Sequence, residues 1–324
     1  MSEETLEIIQ SAFSMIVNDN DHGKRFDSFV AENLKDVSRS QIAELISGGS
    51  IRLNNLVKKP AGKVKAGDIV DGAIPSPPSL DFEPENIDID ILYEDNDIVV
   101  VNKPPGLVVH PAPGNWSGTL VNALLYHFPG IEGGDDEIRP GIVHRLDKDT
   151  SGVMVVARNR AAHGVIAEAF KSRTVYKEYV ALLYGIPDEK RGIVGLPVGR
   201  HPVDRKKMSV ETNSGRHAET HWFVEDTFGC VAKVKFVIKT GRTHQIRVHS
   251  KSMGHPIVGD SVYSGNKKNY YKNSGREKEG VLKRVTRQML HARKIILNHP
   301  VTNEKLTFEA PLPEDMKSLI EKIK

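Results

Sequence analysis

The chain has 324 residues, 39% of them hydrophobic and 27% charged, a balance typical of globular rather than disordered proteins. Its one cysteine, Cys230, excludes an intramolecular disulfide and a zinc site built on several thiolates. The first thirty residues lack the apolar core of a signal peptide, and no run approaches the roughly eighteen apolar residues of a membrane helix. The sequence predicts a soluble protein of a reducing compartment, the cytoplasm, without membrane contact.

The net charge of +3 hides a segregation of charge along the chain. Residues 24–65 carry nine Lys or Arg against four acids, and residues 264–294 carry ten against two. Between them, residues 81–98 carry eight acids and no basic residue. Separated basic blocks suit an elongated polyanion bound at more than one place, although an ordinary solvated surface gives the same counts.

The N-terminal part of the chain is predicted to form a small αβ domain. The segment RFDSFVAENL predicts an amphipathic helix, and Ser38 with Gln41 has capping-box spacing for a second helix that ends at glycines. Short β-type segments follow at residues 51–53 and 68–70, and the proline-rich stretch PSPP predicts a stiff linker. We therefore predict an N-terminal extension (1–20), a first domain (24–75), a linker (76–87) and a second domain (88–324).

In the second domain, short strands outnumber helices. Strands are predicted at residues 97–102, 152–157 and 231–239. Helices are predicted at residues 119–128, 160–171 and 314–323. This composition predicts an α+β fold with a mixed, largely antiparallel sheet. Residues 264–288 lack apolar periodicity, which predicts a long, mobile basic loop.

The densest cluster of functional side chains is GIVHRLDKDTSG, residues 141–152. His144 and Arg145 flank Asp147, so this one carboxylate has hydrogen-bond donors beside it. An aspartate is ionised at neutral pH, as a nucleophile must be. The three residues Asp149, Thr150 and Ser151 are instead predicted to be turn residues whose side chains bond local backbone.

Three other interpretations of this segment are weaker. It begins like a calcium loop, but Arg158 stands where a bidentate glutamate is required. Enzymes that form an aspartyl phosphate place the nucleophile at the end of an apolar strand, whereas Asp147 follows His-Arg. A metal bound by His144 and Asp147 would need further ligands, and no second cluster of suitable spacing accompanies them. The sequence therefore predicts no metal site.

Several segments share a resemblance to one family. GIVHRLDKDTSGVMVVAR (141–158) resembles the active-site motif of the RluA-type ribosomal RNA pseudouridine synthases, in particular their RluD-like members. SRSQIAELISGGSIRLNN, within residues 24–71, resembles an S4 RNA-binding domain. Four further segments match the family in order: DIVVVNKPPGLVVHP (97–111), KEY with ALLYG (177–185), TGRTHQIRVH (240–249) and GHPIVGDSVY (254–263). Residues 1–20 and 264–286 match no motif of the family.

The resemblance implies an isomerase that detaches uracil from ribose at N1, turns the base over and rejoins it through C5. Substrate and product are isomers, so it implies no cofactor, nucleotide or metal. It also implies that Asp147 is the catalytic carboxylate, which attacks the sugar C1′, attacks the base or removes a ribose proton. Tyr179 would stack on the displaced uracil, and Arg242 would pair with Asp147 and keep it in place. Without the resemblance, Tyr179 is more simply a packed strand aromatic.

The implied partner is RNA: ribosomal RNA, of the large subunit or its assembly precursor, with no obligatory protein partner evident. A stacked uridine must leave its helix to reach a carboxylate, and His144 and Arg145 are candidates to fill the vacated space. Arg247 is a candidate phosphate contact. The outer basic surfaces would grip phosphates without reading sequence. Their candidate residues are Arg39, Lys58, Lys59, Lys267 and Lys268.

Two other functions fit part of the sequence. A catalytically silent RNA-binding or ribosome-assembly factor would explain the charge pattern and the S4-like module equally well. The combination of Asp147, Tyr179 and Arg242 favours an enzyme, because a binding protein has no use for all three. An RNA hydrolase using Asp147 would need a water-activating partner, for which the sequence offers no candidate.

Overall fold

A computed structural model describes residues 9–34, 37, 39–75, 83–111, 115–131, 140–204, 207–212, 214–265, 270 and 275–324. The chain divides into two compact units, Met1–Asp81 and Phe82–Lys324, and the division falls within the predicted linker. In the described part of the chain, no helix is both long enough and apolar enough to cross a membrane.

The N-terminal unit combines two helices with a three-stranded antiparallel sheet. Its elements are β1 (Ile9–Ile16), a 3-10 turn (Asp19–Asp21), α1 (Phe26–Asn33), α2 (Arg39–Ser47), β2 (Ile51–Leu53) and β3 (Ile69–Pro75). β3 lies between β1 and β2. The helices turn one apolar face each toward a small core, since Phe26, Phe29 and Val30 of α1 and Ile42 and Ile46 of α2 are buried there. This unit confirms the predicted small αβ fold.

Strand β1 corrects the prediction of a separate N-terminal extension over residues 1–20. It pairs with β3 from Ile16 opposite Ile69 to Ile9 opposite Pro75. Phe13 and Met15 alternate toward the core, whereas Ile16 is 63% exposed. Serines and an exposed isoleucine between the inward residues obscure this alternation in the sequence. Ser38 of the predicted capping box lies outside the described residues.

The C-terminal unit contains the remaining elements. In chain order they are β4 (Asp90–Glu94), β5 (Ile98–Lys103), α3 (Leu120–His127), β6 (Ser151–Ala157), α4 (Arg160–Lys171), β7 (Tyr176–Tyr184), β8 (Arg191–Val194), β9 (Gly199–Arg200), β10 (Met208–Ser209), β11 (Thr220–Phe228), β12 (Val231–Ile238), α5 (Gln245–Ser252), α6 (Arg276–Lys283), β13 (Leu290–Asn298), β14 (Lys305–Glu309) and α7 (Glu314–Ile323). The predicted helices at 119–128, 160–171 and 314–323 are confirmed.

Nine of these strands form one sheet in the order β4-β5-β6-β13-β7-β12-β11-β8, with β14 also paired to β13. β6 and β13 are parallel, and the other strand pairs of this sheet are antiparallel, which confirms the mixed, largely antiparallel prediction. β6 is buried along its whole length, as its unbroken apolar run requires. The segment that contains Asp147 leads directly into β6. Its C-terminal end is therefore held in place by the centre of the sheet.

Helix α6 corrects the prediction of one long loop over residues 264–288. Leu282 is fully buried, which anchors this helix to the unit. Glu277 and Glu279 lie in its first turn and Lys283 in its last, an arrangement that suits the helix dipole. The segment was predicted as a loop because most of its residues are polar or charged, and one buried leucine, Leu282, does not produce an apolar periodicity. Residues 266–269 and 271–274, including the predicted RNA contacts Lys267 and Lys268, lie outside the described residues.

Candidate active site

Asp147 lies in a turn, residues 147–151, that leads into β6; we call it the Asp147 turn. The Asp147 carbonyl accepts a hydrogen bond from Thr150 N at 3.0 Å, and the Asp147 side chain is 22% exposed. Its Oδ2 accepts a hydrogen bond from Arg247 Nη1 at 2.8 Å, and His244 Nε2 lies 3.8 Å from the same oxygen. The turn thus presents a carboxylate that is paired on one side and accessible on the other.

Arg247 connects Asp147 to a second, fully buried carboxylate. Its Nε donates to Asp260 Oδ2 at 2.7 Å and its Nη2 to Asp260 Oδ1 at 3.1 Å. Burial works to lower the pKa of Arg247, but the hydrogen bonds and charges of the two aspartates outweigh it and raise that pKa. Asp260 also accepts from the backbone N–H groups of Val262 and Tyr263. The guanidinium is therefore a fixed, permanently charged support for Asp147.

Tyr179 forms part of the pocket wall beside Asp147. It lies on β7 between Phe236 of β12 and Ala292 of β13, and it is 9% exposed. Burial, and after it the charge of Asp147, raises the pKa of the Tyr179 hydroxyl well above its usual range. The hydroxyl therefore stays protonated at neutral pH. The open pocket is lined by Asp147, Tyr179, Arg145, Arg242, His244 and Leu290.

Arg242 does not make the ion pair that the resemblance implied. Its Nε donates to the carbonyl of His217 at 3.2 Å, and Arg247 occupies the position against Asp147. The difference arises from the start of α5 at Gln245, whose side chain accepts the backbone N–H of Arg242 and holds it in the preceding turn. Arg247 lies within the helix. It is 5% exposed and pairs with two aspartates, which also corrects its prediction as a phosphate contact.

His144, the other candidate from sequence to fill the space of the flipped nucleotide, packs against β6 and α4. Its Nε2 accepts the backbone N–H of Val155 at 3.0 Å, and its ring stacks on Phe170 with 4.5 Å between centroids. Burial, reinforced by the charge of Lys177, lowers the pKa of His144 to about 3. A neutral ring fixed to β6 has no free donor to offer at Nε2. Arg145, in contrast, is exposed and lines the pocket.

A buried lysine holds the backbone of the Asp147 turn from one side. Lys103 Nζ donates to the carbonyl of Lys148 at 3.0 Å and to those of Pro104 and Leu107 at 2.8 and 2.9 Å. Burial lowers the pKa of Lys103, while one carbonyl acceptor for each ammonium proton favours the charged form. Gly106 N also donates to the Lys148 carbonyl at 3.0 Å. The Lys103 ammonium group therefore connects the Asp147 turn to the 104–107 segment.

The segment before and at the start of β13 holds the turn from the other side. Arg287 Nη1 donates to the carbonyl of Asp149 at 3.1 Å. The side chains of Thr150 and Ser151 bond this segment too, rather than local backbone as predicted. The bonds are Gln288 Nε2 to Thr150 Oγ1 at 3.3 Å and Ser151 Oγ with His291 Nδ1 at 2.9 Å. These contacts fix the conformation from which Asp147 faces the pocket.

Two predicted RNA contacts of the N-terminal unit, Lys58 and Lys59, are exposed on it. Arg39 is exposed as well, but its Nη2 lies 3.2 Å from Asp27 Oδ1. Asp27 is shared with Arg25, so two arginines stand around one buried carboxylate and leave a net positive charge. All three predicted contacts of this unit are therefore exposed, and one of them, Arg39, is paired with a carboxylate.

The prediction from sequence missed three residues of the site, namely His244, Asp260 and Tyr263. His244 Nδ1 and Tyr263 Oη are 2.8 Å apart, and Arg247 lies over the Tyr263 ring with 5.1 Å from Cζ to the centroid. All three lie in segments that match family motifs, 240–249 and 254–263. The sequence feature that could have indicated them is a histidine in the 240–249 segment together with an aspartate and a tyrosine in the 254–263 segment.

One cluster has the composition of a metal site: Asp95, Asp97 and His299, whose ligand atoms lie within 4.8 Å of one another. Its groups already bond one another and the backbone. His299 Nε2 is 2.9 Å from Asp95 Oδ2, and its Nδ1 accepts from the N–H groups of Val301 and Thr302. Asp95 Oδ1 accepts from two backbone N–H groups. The cluster joins the β4–β5 turn to the segment after β13, a structural role that its hydrogen bonds explain.

Comparisons with known proteins give matches to one family along most of the chain. Residues 97–252 match the family model described as RNA pseudouridylate synthase, and residues 24–70 match the S4 domain. The chain is 44% identical over 301 residues to an uncharacterized RNA pseudouridine synthase of Synechocystis sp., covering 92% of this chain and 88% of that protein. It is 42% identical over 306 residues to ribosomal large subunit pseudouridine synthase D of Salmonella typhimurium, covering 94% and 92%.

A solved human structure is similar to most of this chain. The human RNA pseudouridylate synthase domain containing 1 aligns with a TM-score of 0.56 and 31% identity, over 76% of this chain and 90% of that chain. The matches in sequence and in structure name one activity. The chain therefore belongs to the RNA pseudouridine synthase family, whose members are isomerases, and it carries an S4 domain at its N-terminal end.

Proposed function

We propose that this protein converts uridines of large-subunit ribosomal RNA into pseudouridines, with Asp147 as the reacting carboxylate. The observation that carries the proposal is the placement of Asp147, Arg247 and Tyr179 around one open pocket. Relatives named ribosomal large subunit pseudouridine synthase D support the choice of RNA. In this proposal RNA is the partner, and the reaction takes place in the cytoplasm.

The reaction exchanges one bond for another within the same nucleotide. The C1′–N1 bond breaks, the uracil turns over, and a C1′–C5 bond forms. C5 loses its proton and N1 gains one, so the atoms and electrons of uridine are conserved. No oxidant, nucleotide or metal enters that balance. The protein has to supply a nucleophile or base, a fixed place for the detached uracil, and a group near the departing proton.

Asp147 is positioned for the first of these tasks. Arg247 donates to its Oδ2, whereas Oδ1 accepts no hydrogen bond from the described residues. Oδ1 is therefore the oxygen we assign to the substrate. Since the guanidinium is held by Asp260 as well, Asp147 needs no rearrangement before it reacts. Such preorganisation is what a carboxylate nucleophile or base requires.

Tyr179 and Arg145 would hold the nucleotide. The Tyr179 ring forms a wall of the pocket on which a detached uracil can stack, and its protonated hydroxyl can donate a hydrogen bond to the nucleotide. Arg145 is exposed beside Asp147, where its guanidinium can contact the flipped nucleotide. Arg242 lines the same pocket and is a second candidate for such a contact.

The proposal is tested with the Asp147→Asn variant and the Asp149→Asn variant as its matched control. Both replace a carboxylate of the same turn, but the contact of Asp149 with Arg287 is made through its backbone carbonyl. The substrate is large-subunit ribosomal RNA labelled with tritium at C5 of uridine, with EDTA present and no nucleotide added. We expect tritium release and mapped pseudouridines from the wild type and the Asp149→Asn variant, and none from the Asp147→Asn variant.

Other outcomes of this assay contradict the proposal. Turnover by the Asp147→Asn variant above a no-enzyme control would remove Asp147 from the chemistry. A wild type that binds the RNA but releases no tritium would favour the silent RNA-binding factor. Activity that EDTA abolishes and a divalent metal restores, with the RNA still folded, would return the metal interpretations.

A further inference from the structure

His244 has a backbone conformation that only a structural or functional constraint maintains. It stands immediately before α5 with φ 56° and ψ 19°, in the left-handed region. A residue with a Cβ occupies that region at a cost, and such residues concentrate at functional sites. His244 also lines the pocket with Asp147 and Tyr179. Its position in the pocket depends on this backbone conformation.

Hydrogen bonds on the far side of the ring determine its tautomer. Tyr263 Oη accepts the backbone N–H of Met208 at 2.9 Å and lies 2.8 Å from His244 Nδ1. Among the described residues, Nδ1 is the one acceptor within reach of the Tyr263 hydroxyl proton. The hydroxyl therefore donates to Nδ1, and a neutral ring carries its proton on Nε2.

Within the described parts of the chain, the Nε2–H group of His244 has no hydrogen-bond partner. Its nearest acidic oxygen is Asp147 Oδ2 at 3.8 Å, beyond hydrogen-bond distance, and that oxygen already accepts from Arg247. A donor held beside the reacting carboxylate, and not satisfied by it, is available to a substrate atom. Because Asp147 must act next to the glycosidic bond, that atom also lies next to the glycosidic bond.

We propose that His244 is a further catalytic residue: as a neutral imidazole it donates its Nε2–H to O2 of the flipped uracil, and Tyr263 is the positioning residue that fixes its tautomer. The inference rests on the proposed function. O2 is bonded to the carbon next to N1, and it takes up negative charge when the C1′–N1 bond breaks. A fixed donor at the atom where charge develops lowers the barrier of that step.

The neutral form is essential to this role. An imidazolium 3.8 Å from Asp147 would form an ion pair with the carboxylate and withdraw it from the substrate. Burial lowers the pKa of His244, and Arg247 and Arg145 reinforce that shift, whereas Asp147 and Asp260 oppose it. The hydrogen bond from Tyr263 to Nδ1 adds to the preference for the neutral ring, since that nitrogen must then be unprotonated.

Two substitutions of His244 separate this role from a structural one. His244→Gln places an amide NH₂ where Nε2 was, so it keeps a donor toward the substrate. His244→Asn reaches only the Nδ1 position, but asparagine tolerates the left-handed backbone better and can keep the bond to Tyr263. We expect the single-turnover rate at saturating RNA to fall by about 100-fold in the His244→Asn variant and much less in the His244→Gln variant. A purely structural residue predicts the opposite order, and that order overturns the proposal.

A substrate substitution identifies the acceptor. In RNA whose target uridine is replaced by 2-thiouridine, sulfur makes O2 a poor acceptor. The wild type should discriminate against this substrate, and the His244→Asn variant should have lost most of that discrimination. Equal discrimination by both proteins would show that Nε2–H does not meet O2. A wild type inactive on uridine RNA would instead reject the proposed function, so the two failures are distinguishable.

The tautomer can be measured without turnover. In the full-length protein with nitrogen-15 histidine, the His244→Gln spectrum identifies the His244 signals among those of 13 histidines. At neutral pH we expect the wild type to show the neutral Nε2–H tautomer, and the Tyr263→Phe variant to show a tautomer mixture or imidazolium. An Nδ1–H tautomer or an imidazolium in the wild type overturns the assignment. An unchanged spectrum in the Tyr263→Phe variant overturns the role of Tyr263.

Discussion

Arg247 and Asp260 form a two-point pair in the interior of the catalytic unit, with N–O distances of 2.7 and 3.1 Å. The Asp260 side chain is 0% exposed and that of Arg247 6%. The third contact of the same guanidinium, to Asp147 Oδ2, reaches the pocket. A buried carboxylate thus orients the arginine, and the arginine orients the carboxylate that we assign to the chemistry. One planar guanidinium makes both the supporting contact with Asp260 and the contact with Asp147, and a lysine ammonium cannot make both in this geometry.

Replacing Arg247 by Lys should therefore reduce catalysis strongly. One ammonium cannot serve both carboxylates in the geometry of the fork, so we expect the single-turnover rate at saturating RNA to fall by about 100-fold. Arg247→Met should also lower the free energy of unfolding by about 3 kcal/mol or more, because Asp260 loses its buried partner. Rates and urea unfolding curves measure the two effects. The matched Arg242→Lys variant should lose far less activity, and a larger loss there would restore the pairing that the resemblance implied.

His291 makes stability depend on pH. Burial lowers its pKa to about 4, and its Nε2 is 3.1 Å from the Ala310 carbonyl, so Nδ1 accepts from Ser151. The folded protein then binds fewer protons than the unfolded chain between pH 6.5 and 4. Stability from this group is full above about pH 6.5 and is lost as pH falls toward 4. Between pH 7 and 5 we expect a loss of about 2 kcal/mol from His291 in urea unfolding. His291→Gln should remove that part of the slope, and an unchanged slope would contradict the assignment.

The sequence predicted the regular elements better than the contacts of individual side chains. Helix α4 and strand β12 have strong periodicities that packing does not override. Strand β1 was missed because its inward residues alternate with a polar and apolar mixture, and its partner β3 lies more than fifty residues away. Family motifs led to Asp147 and Tyr179, which line one pocket. They could not decide between Arg242 and Arg247, since the choice depends on where α5 begins and on buried Asp260.

The C-terminal helix should influence catalysis through one arginine. Arg287 donates to both oxygens of Asp315 in α7, at 2.5 and 2.6 Å, and to the carbonyl of Asp149 in the Asp147 turn. In the Asp315→Asn variant, the Arg287 guanidinium loses its charged acceptor. It is then held less firmly against the carbonyl of Asp149 in the Asp147 turn. We expect a roughly 3- to 10-fold lower single-turnover rate, which corresponds to one weakened hydrogen bond, with RNA affinity unchanged. Glu314→Gln is the matched control, since Glu314 is 85% exposed. Equal rates for the two variants would show that α7 does not act on the turn.

The N-terminal unit should govern RNA affinity rather than the chemical step. It has its own core, and Lys58 and Lys59 are exposed on it. Each phosphate contact that is lost lowers the slope of log affinity against log salt by about 0.7–0.9. A chain beginning near residue 83 should therefore bind ribosomal RNA more weakly and with a shallower salt dependence, while its single-turnover rate at saturating RNA falls far less.

The full-length Lys58→Gln, Lys59→Gln double variant should show part of the same change, by up to about 1.4–1.8 in slope for two contacts. Thermal melting separates these effects from misfolding, because a unit that braces the catalytic domain would lower its melting temperature when removed. If the truncated chain is folded and binds ribosomal RNA with unchanged affinity and unchanged salt dependence, the S4 domain does not contribute to RNA binding.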